Sequence, residues 1–516
     1  MSSSSAELSA KLRAEPSARI SLPSRPVPSI GVTAPDLSGA KVVYHALAVA
    51  EPDARAIAAG TEFLRRQLDL AARQAIDFPA SIEQMPDWFA AQLDAVGSAY
   101  QHYLAGRKGG AAPRFFTSRA HALNFLQVSA PTKLVDGAWL AGLLPRWADP
   151  DFGTLIRIYL EELGEGVPEK NHVALYRKLI TTHACDQFAA LDERFYVQGA
   201  IQLALAHCGA AFLPELVGFN LGYEQLPLHL LITAFELNEL DIDPYYFTLH
   251  VTVDNALTGH AGDALQAVRQ LAPVLGDRNA YLQRVLNGYR LNGLGMTTEA
   301  LVASYAPEAE LIRILQSKCG VGQNMHSDYC RVGGKTINAW LSAPQQMGEM
   351  LQQLERAGWF ARGAAPEQSR FWRLLQSEKA EMFGVFSAYE QAVLADWIRA
   401  GVAAPLAAND AGQTIEAASP APLPRTPTYR ARQRAAQRHD GAGLVHYPAR
   451  AMIRTHRSER ADATSNPELR LLEQRVAALR DKNAVMTLLA GLMSPALHHS
   501  ASGMMATRLY SQLLRT

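Results

Sequence analysis

The sequence predicts an all-α fold, and three stretches carry that prediction. From about Lys41 apolar residues recur at three- and four-residue steps, as in DARAIAAGTEFLRRQLDLAARQAI, the pattern of helices that each bury one face. Between Phe195 and Leu240 the chain is apolar and helical again, through YVQGAIQLALAHCGAAFLPELVGFNLGYEQLPLHLLITAFELNEL. Further on, Asn466 precedes Pro467 and a leucine-rich stripe, a helix-start signal. With 516 residues, 48% of them hydrophobic, the chain can fill a substantial core.

Taken in order, residues 1–40 hold Ser, Pro and Arg with Glu7 and Glu15 and lack the apolar centre of a signal peptide. They read as a disordered tail. An N-terminal helical region follows at 41–115, broken near its end by KGGAAP. The central domain spans 116–345. Residues 346–400 are aromatic-rich and read as two or three further helices packed on the body. From 401 to 465 the composition shifts to Ala, Pro, Thr and Arg without periodicity, the signature of a flexible linker. The segment 466–516 is helical, and its stripe Leu469, Leu472, Val476 and Leu479 should dock on the body or on a partner helix, which is compatible with a homodimer.

Composition excludes several classes. Lys+Arg and Asp+Glu both number 49, so no global field recruits nucleic acid or an anionic membrane. Cys185, Cys208, Cys319 and Cys330 show no CxxC spacing and are too few for a secreted disulfide scaffold, so the expected compartment is the reducing cytoplasm. No run of about 18 apolar residues is present to cross a membrane. Cys319, His326 and Cys330 lack a fourth ligand at zinc-finger spacing, and the segment reads as a surface loop.

The chemistry concentrates elsewhere. DIDPYYFTLHVTVDNALTGHA places His250, Asp254 and His260 within eleven residues. Imidazole with carboxylate suits a first-row metal such as iron, manganese or zinc. On a helix His250 and Asp254 are one turn apart and share a face. His260 lies roughly 80° off the His250 direction, so it reaches the same cavity only if the helix is distorted near Gly259. Upstream, Glu162 ends an apolar helix, GEGVP makes a turn, and His172 opens the next helix. Glu165 and Glu169 belong to the polar connection, so Glu162 with His172 is preferred over a Glu169–His172 pairing. Glu224, in NLGYEQLPLHLL, would be costly to bury unless paired or metal-bound. Glu236 and Glu239 stand just before the DIDP break and read as a solvated helix end, and His229 faces away from Glu224. A bundle aiming Glu162, His172, Glu224, His250, Asp254 and His260 inward could hold two metal ions.

The E-L-G-x-G…H unit ending at His172, the YE of NLGYE and the closing H-x-x-x-D resemble the heme-oxygenase-like diiron oxidase and oxygenase superfamily, described as iron-containing redox enzymes. The resemblance covers roughly residues 120–345 and implies a heme-oxygenase-like helical bundle with additional N- and C-terminal helices. It implies that Glu162, His172, Glu224, His250 and Asp254 bind iron. The family pattern ends H-x-x-x-D-x-x-H, where this chain has Leu257 and then His260 three residues later. Asp136 is the counterpart of the family's carboxylate from the first core helix; from its own neighbours it reads as a helix-associated acid satisfied by backbone or Arg. The resemblance further implies two Fe2+ ions, O2 as co-substrate and an external electron donor. It also implies a small substrate, here expected to be amino-acid-derived and to belong to specialised metabolism, undergoing N-oxygenation or oxidative C–C cleavage or desaturation. Tyr245 and Tyr246 are candidates for lining the substrate channel, with core packing the alternative. Two other readings compete: a metal-free helical interaction protein, and a heme-binding protein on the same fold, which would need one axial His rather than a ring of acids.

Overall fold

In a computed structural model, which describes residues 39–253, 259–376, 379–401 and 466–515, helices make up nearly all the regular structure. The one sheet among the described residues is an antiparallel ribbon, β1 (Arg331–Val332) with β2 (Lys335–Thr336), pairing Arg331 with Thr336 and Val332 with Lys335. The periodic N-terminal region forms α1 (Ala40–Leu47), α2 (Ala54–Ala71) and α3 (Met85–Lys108), and α3 stops at Gly109, inside KGGAAP.

The central region runs through α4 (Arg119–Lys133), α5 (Gly153–Glu162), α6 (His172–Thr182), α7 (Val197–Cys208) and α8 (Leu213–Tyr223). It continues with α9 (Leu228–Glu239), α10 (Tyr245–Val253), α11 (His260–Gln270) and α12 (Arg278–Arg290). Local chemistry sets several starts: Ser118 caps α4 by accepting from the His121 amide, and Asn171 caps α6 by accepting from the Ala174 amide. The helices α8 and α12 pack backbone to backbone. A Cβ at Gly218 would lie 1.8 Å from Val285 O, and one at Gly288 1.8 Å from Glu215 O, so both positions require glycine.

After α12 come α13 (Thr298–Ala303), α14 (Pro307–Gly322), α15 (Ile337–Leu341), α16 (Met347–Arg356), the short α17 (Arg370–Arg373) and α18 (Ala388–Arg399). The expected linker from residue 402 on lies outside the described residues, as does the expected tail up to residue 38. The last segment is three helices, α19 (Pro467–Ala478), α20 (Lys482–Leu492) and α21 (Ala501–Arg515). Asn466 caps α19 through the Glu468 amide, and Leu469 and Leu472 are buried. Leu479 is exposed and falls past the helix end, so the apolar stripe is shorter than its spacing suggested. The segment docks on the body: Tyr159 Oη donates to Met493 O (2.6 Å) and Tyr510 Oη to Leu144 O (2.7 Å).

Apolar side chains form two clusters. One holds Val135, Trp139, Tyr159, Leu163 and Tyr510, the other Val173, Tyr176, Leu237 and Tyr246. Glu236 corrects the expectation of a solvated helix end. It is 1% exposed and accepts from Tyr103 Oη and from the amides of Arg114, Phe115 and Phe116, so the incoming chain folds over it and supplies the donors that water would have supplied.

Candidate metal centre

On the seam between the two apolar clusters lies a knot of buried acids and imidazoles. One ligand atom from each of Asp136, Glu162, His172 and His250 lies within 4.8 Å of the others, and the same holds for Glu162, Glu224 and His260. Glu162 belongs to both groups. Its Oε2 is 2.6 Å from His172 Nδ1, and its Oε1 is 3.3 Å from His260 Nδ1. Around the first oxygen, His250 Nε2 is 3.2 Å and His172 Nδ1 3.9 Å from Asp136 Oδ2. Around the second, Glu224 Oε2 is 3.2 Å from His260 Nδ1.

Each residue arrives by a separate local device. Glu162 is the last residue of α5 and His172 the first of α6, and the intervening turn reverses through Gly164, Glu165 and Gly166, all with positive φ. Gly166 has no room for a side chain there: a Cβ would lie 2.3 Å from Met504 O. Glu165 and Glu169 are exposed, as their polar context suggested. Glu224 is the C-cap of α8. Asp136 follows the C-terminal end of α4. His260 opens a helix of its own, capped by Gly259 in extended conformation (φ −107°, ψ −168°), so the 80° offset on a continuous helix does not apply. Asp254 lies outside the described residues.

Neighbouring groups hold the imidazoles in register. His250 Nδ1–H donates to Tyr246 O (2.8 Å), leaving Nε2 to face Asp136. His260 Nε2–H donates to Glu161 Oε2 (2.9 Å), leaving Nδ1 to face Glu162 and Glu224. The His172 and His250 rings converge, with centroids 4.2 Å apart. Both oxygens of Asp136 are engaged by phenols: Tyr223 Oη donates to Oδ1 (2.6 Å) and Tyr246 Oη to Oδ2 (2.5 Å). Lys133 Nζ in turn donates to Tyr223 Oη (3.2 Å) and sits over both tyrosine rings.

These contacts fix charge states. Burial pushes the Glu162 carboxyl up, but the His172 and His260 imidazoles outweigh it and hold it at about 2. Burial likewise opposes ionisation of Asp136, and Lys133 and His250 bring it well below the usual carboxylate range. Burial, then Asp136, drives the Tyr223 and Tyr246 phenols well above their ordinary value, so both stay protonated donors.

The donor set fits metal ions. His172 Nδ1 is buried and makes no well-formed hydrogen bond, although Glu162 Oε2 is 2.6 Å away. Two donors side by side without a shared proton are what a common cation produces, since atoms bound at about 2 Å to one ion stand about 3 Å apart when adjacent. Three carboxylates gathered in a buried pocket also call for more positive charge than Lys133 and neutral imidazoles supply.

Six of the seven ligand candidates, Asp136, Glu162, His172, Glu224, His250 and His260, therefore come together. Tyr246 is at the centre as a donor to Asp136, whereas Tyr245 is 42% exposed and points to solvent, because neighbouring residues on a helix diverge by about 100°. Among the described residues no such group forms around Cys319, His326 and Cys330. Sequence reasoning missed Tyr223, Lys133 and Glu161. Tyr223 had a signal in its place beside Glu224, and the other two had none.

Fold and site together define an all-α protein with a buried carboxylate–imidazole centre. Residues 123–293 match the model of a family described as iron-containing redox enzyme, haem-oxygenase-like in fold, and all six assembled residues fall within that span. The match supports an iron-dependent oxidoreductase. No curated protein and no solved structure matches the chain. Among the described residues no helix is long and apolar enough to cross a membrane.

Proposed function

We propose that the chain is a nonheme diiron oxidase or oxygenase that acts with O2 on a small, amino-acid-derived substrate. The observation that carries this reading is Glu162, whose two oxygens face two different ligand groups. Asp136, His172 and His250 would hold one ion and Glu224 and His260 the other, with Glu162 shared. Two ferrous ions bound there would supply electrons for the reduction of O2, and an external donor would restore them.

The chain's own residues do the rest. Tyr223 and Tyr246 keep their protons at the Asp136 oxygens and hold that carboxylate in one orientation. Trp139, Tyr176 and Leu163, each fully buried, help exclude water from the centre. Substrate space is offered by a cavity of about 280 Å3 whose wall includes Val135, the neighbour of Asp136, together with Leu134, Phe188 and Arg177. The wall also carries Tyr44, His45 and His499, so apolar surface, one guanidinium and two imidazoles face the cavity, a lining that suits a small molecule bearing a carboxylate.

The test is metal content. Protein prepared anaerobically with ferrous iron should carry close to two irons per chain, and His250→Ala should carry about one. Less than one iron in the wild type, with no further loss in His250→Ala, would overturn the proposal.

A further inference from the structure

We infer that the C-terminal helices form a wall of the metal centre, and that His498 positions His172 by holding Asn171. This rests on the metal-centre reading above and extends it to residues outside the span that matches the iron-containing family.

Asn171 is the joint. It immediately precedes His172, is fully buried, and uses its side chain three ways. Its Oδ1 accepts from the Ala174 amide (2.9 Å), and its Nδ2 donates to Leu163 O (3.2 Å) and to His498 Nδ1 (3.1 Å). Leu163 directly follows Glu162. One amide group therefore ties both ends of the Glu162–His172 connection to each other and to the C-terminal segment. Because Asn171 Nδ2 can only donate, His498 Nδ1 must accept, and the imidazole, 1% exposed, carries its proton on Nε2.

Two further contacts clamp the same connection. Arg508 Nε donates to Gly166 O (3.0 Å), and the bare Gly166 backbone lies against Met504 O. On the α5 side, Tyr159, one turn before Glu162, donates to Met493 O. The geometry of His172 relative to Glu162 is thus set by a segment distant in sequence. Groups of this kind, which hold a ligand without touching the metal, typically change metal affinity ten- to a hundredfold when removed.

The experiment compares His498→Leu, which removes the acceptor, with His498→Asn, which places an acceptor near the Nδ1 position. Ferrous iron titration, the visible ligand-field spectrum with Co2+, and hydrogen exchange of amides 163–173 in metal-free protein are read for each full-length chain. His498→Leu should bind one of two ions ten- to a hundredfold more weakly, shift the Co2+ bands and exchange faster across 163–173, while His498→Asn stays close to wild type. Wild-type affinity and unchanged exchange in His498→Leu would overturn the inference, and so would an equal defect in His498→Asn. If the wild type binds neither Fe2+ nor Co2+, the metal reading fails, and exchange across 163–173 alone decides whether His498 holds the connection. Arg508→Gln, which breaks the clamp at Gly166, provides the same comparison should His498→Leu not fold.

Discussion

Replacing Glu162 by Gln separates one shared carboxylate from two independent sites. Gln keeps the shape and one carbonyl oxygen but cannot serve two cations through two charged atoms. An ion that binds only the folded state stabilises it by RT ln(1 + [L]/Kd), about 2.7 kcal/mol at a hundred times Kd. Two such ions give the wild type an iron-dependent gain of about 5.5 kcal/mol. If the substitution weakens each site about a hundredfold, each gain falls to about 0.4 kcal/mol, and about 4.6 kcal/mol is lost. His250 belongs only to the group around Asp136, so His250→Ala should forfeit about half as much. The assay is anaerobic urea unfolding with and without ferrous iron for each variant. Because the gain is measured within each variant, any effect of the substitution on metal-free protein cancels. Equal losses in the two variants would show that Glu162 serves a single ion, and no iron-dependent gain in the wild type would remove the centre altogether.

Two other outcomes are expected. Burial, then His499 and Arg177, lower His498 to about 3 from an ordinary value near 6.5. The folded protein therefore binds fewer protons than the unfolded one between those values, and stability is full above about 6.5 and lost as the pH falls below it. Wild-type stability should drop by about 2 kcal/mol more than that of His498→Leu between pH 7 and 5, measured by urea midpoints of metal-free protein; parallel curves would contradict this. Tyr223→Phe strips Asp136 Oδ1 of its donor at 2.6 Å and should cost the metal-free protein about 1–3 kcal/mol, again by urea unfolding, since a buried carboxylate oxygen is left without that partner.

Much of the centre was legible because acids are rare within apolar helices. Glu162 and Glu224 stood out against their neighbours for that reason, and His172 by opening a helix after a glycine turn. The rest depended on where helices begin. His260 looked misaligned because a continuous helix was assumed, whereas Gly259 starts a new one. Glu236 looked solvated because it ends a helix, and only the chain returning at residues 114–116 makes it buried. Of Tyr245 and Tyr246, a one-residue rotation sends one to solvent and the other to Asp136. The helical character of the C-terminal segment was readable from its Asn–Pro start and leucine stripe, but an apolar stripe does not say what it will cover. Neither Lys133 nor Glu161 differs by type or spacing from a surface charge, so only three-dimensional contact reveals them.

The contact of Arg508 with Gly166 and of His498 with Asn171 also bears on the order of assembly. During synthesis every assembled ligand, from Asp136 to His260, is made before the segment that clamps the Glu162–His172 connection. A nascent chain can hold all six of those side chains while lacking the wall that sets their spacing. If the centre holds iron as proposed, tight uptake would await docking of the C-terminal helices, and the metal would be loaded on a chain whose covering is already in place.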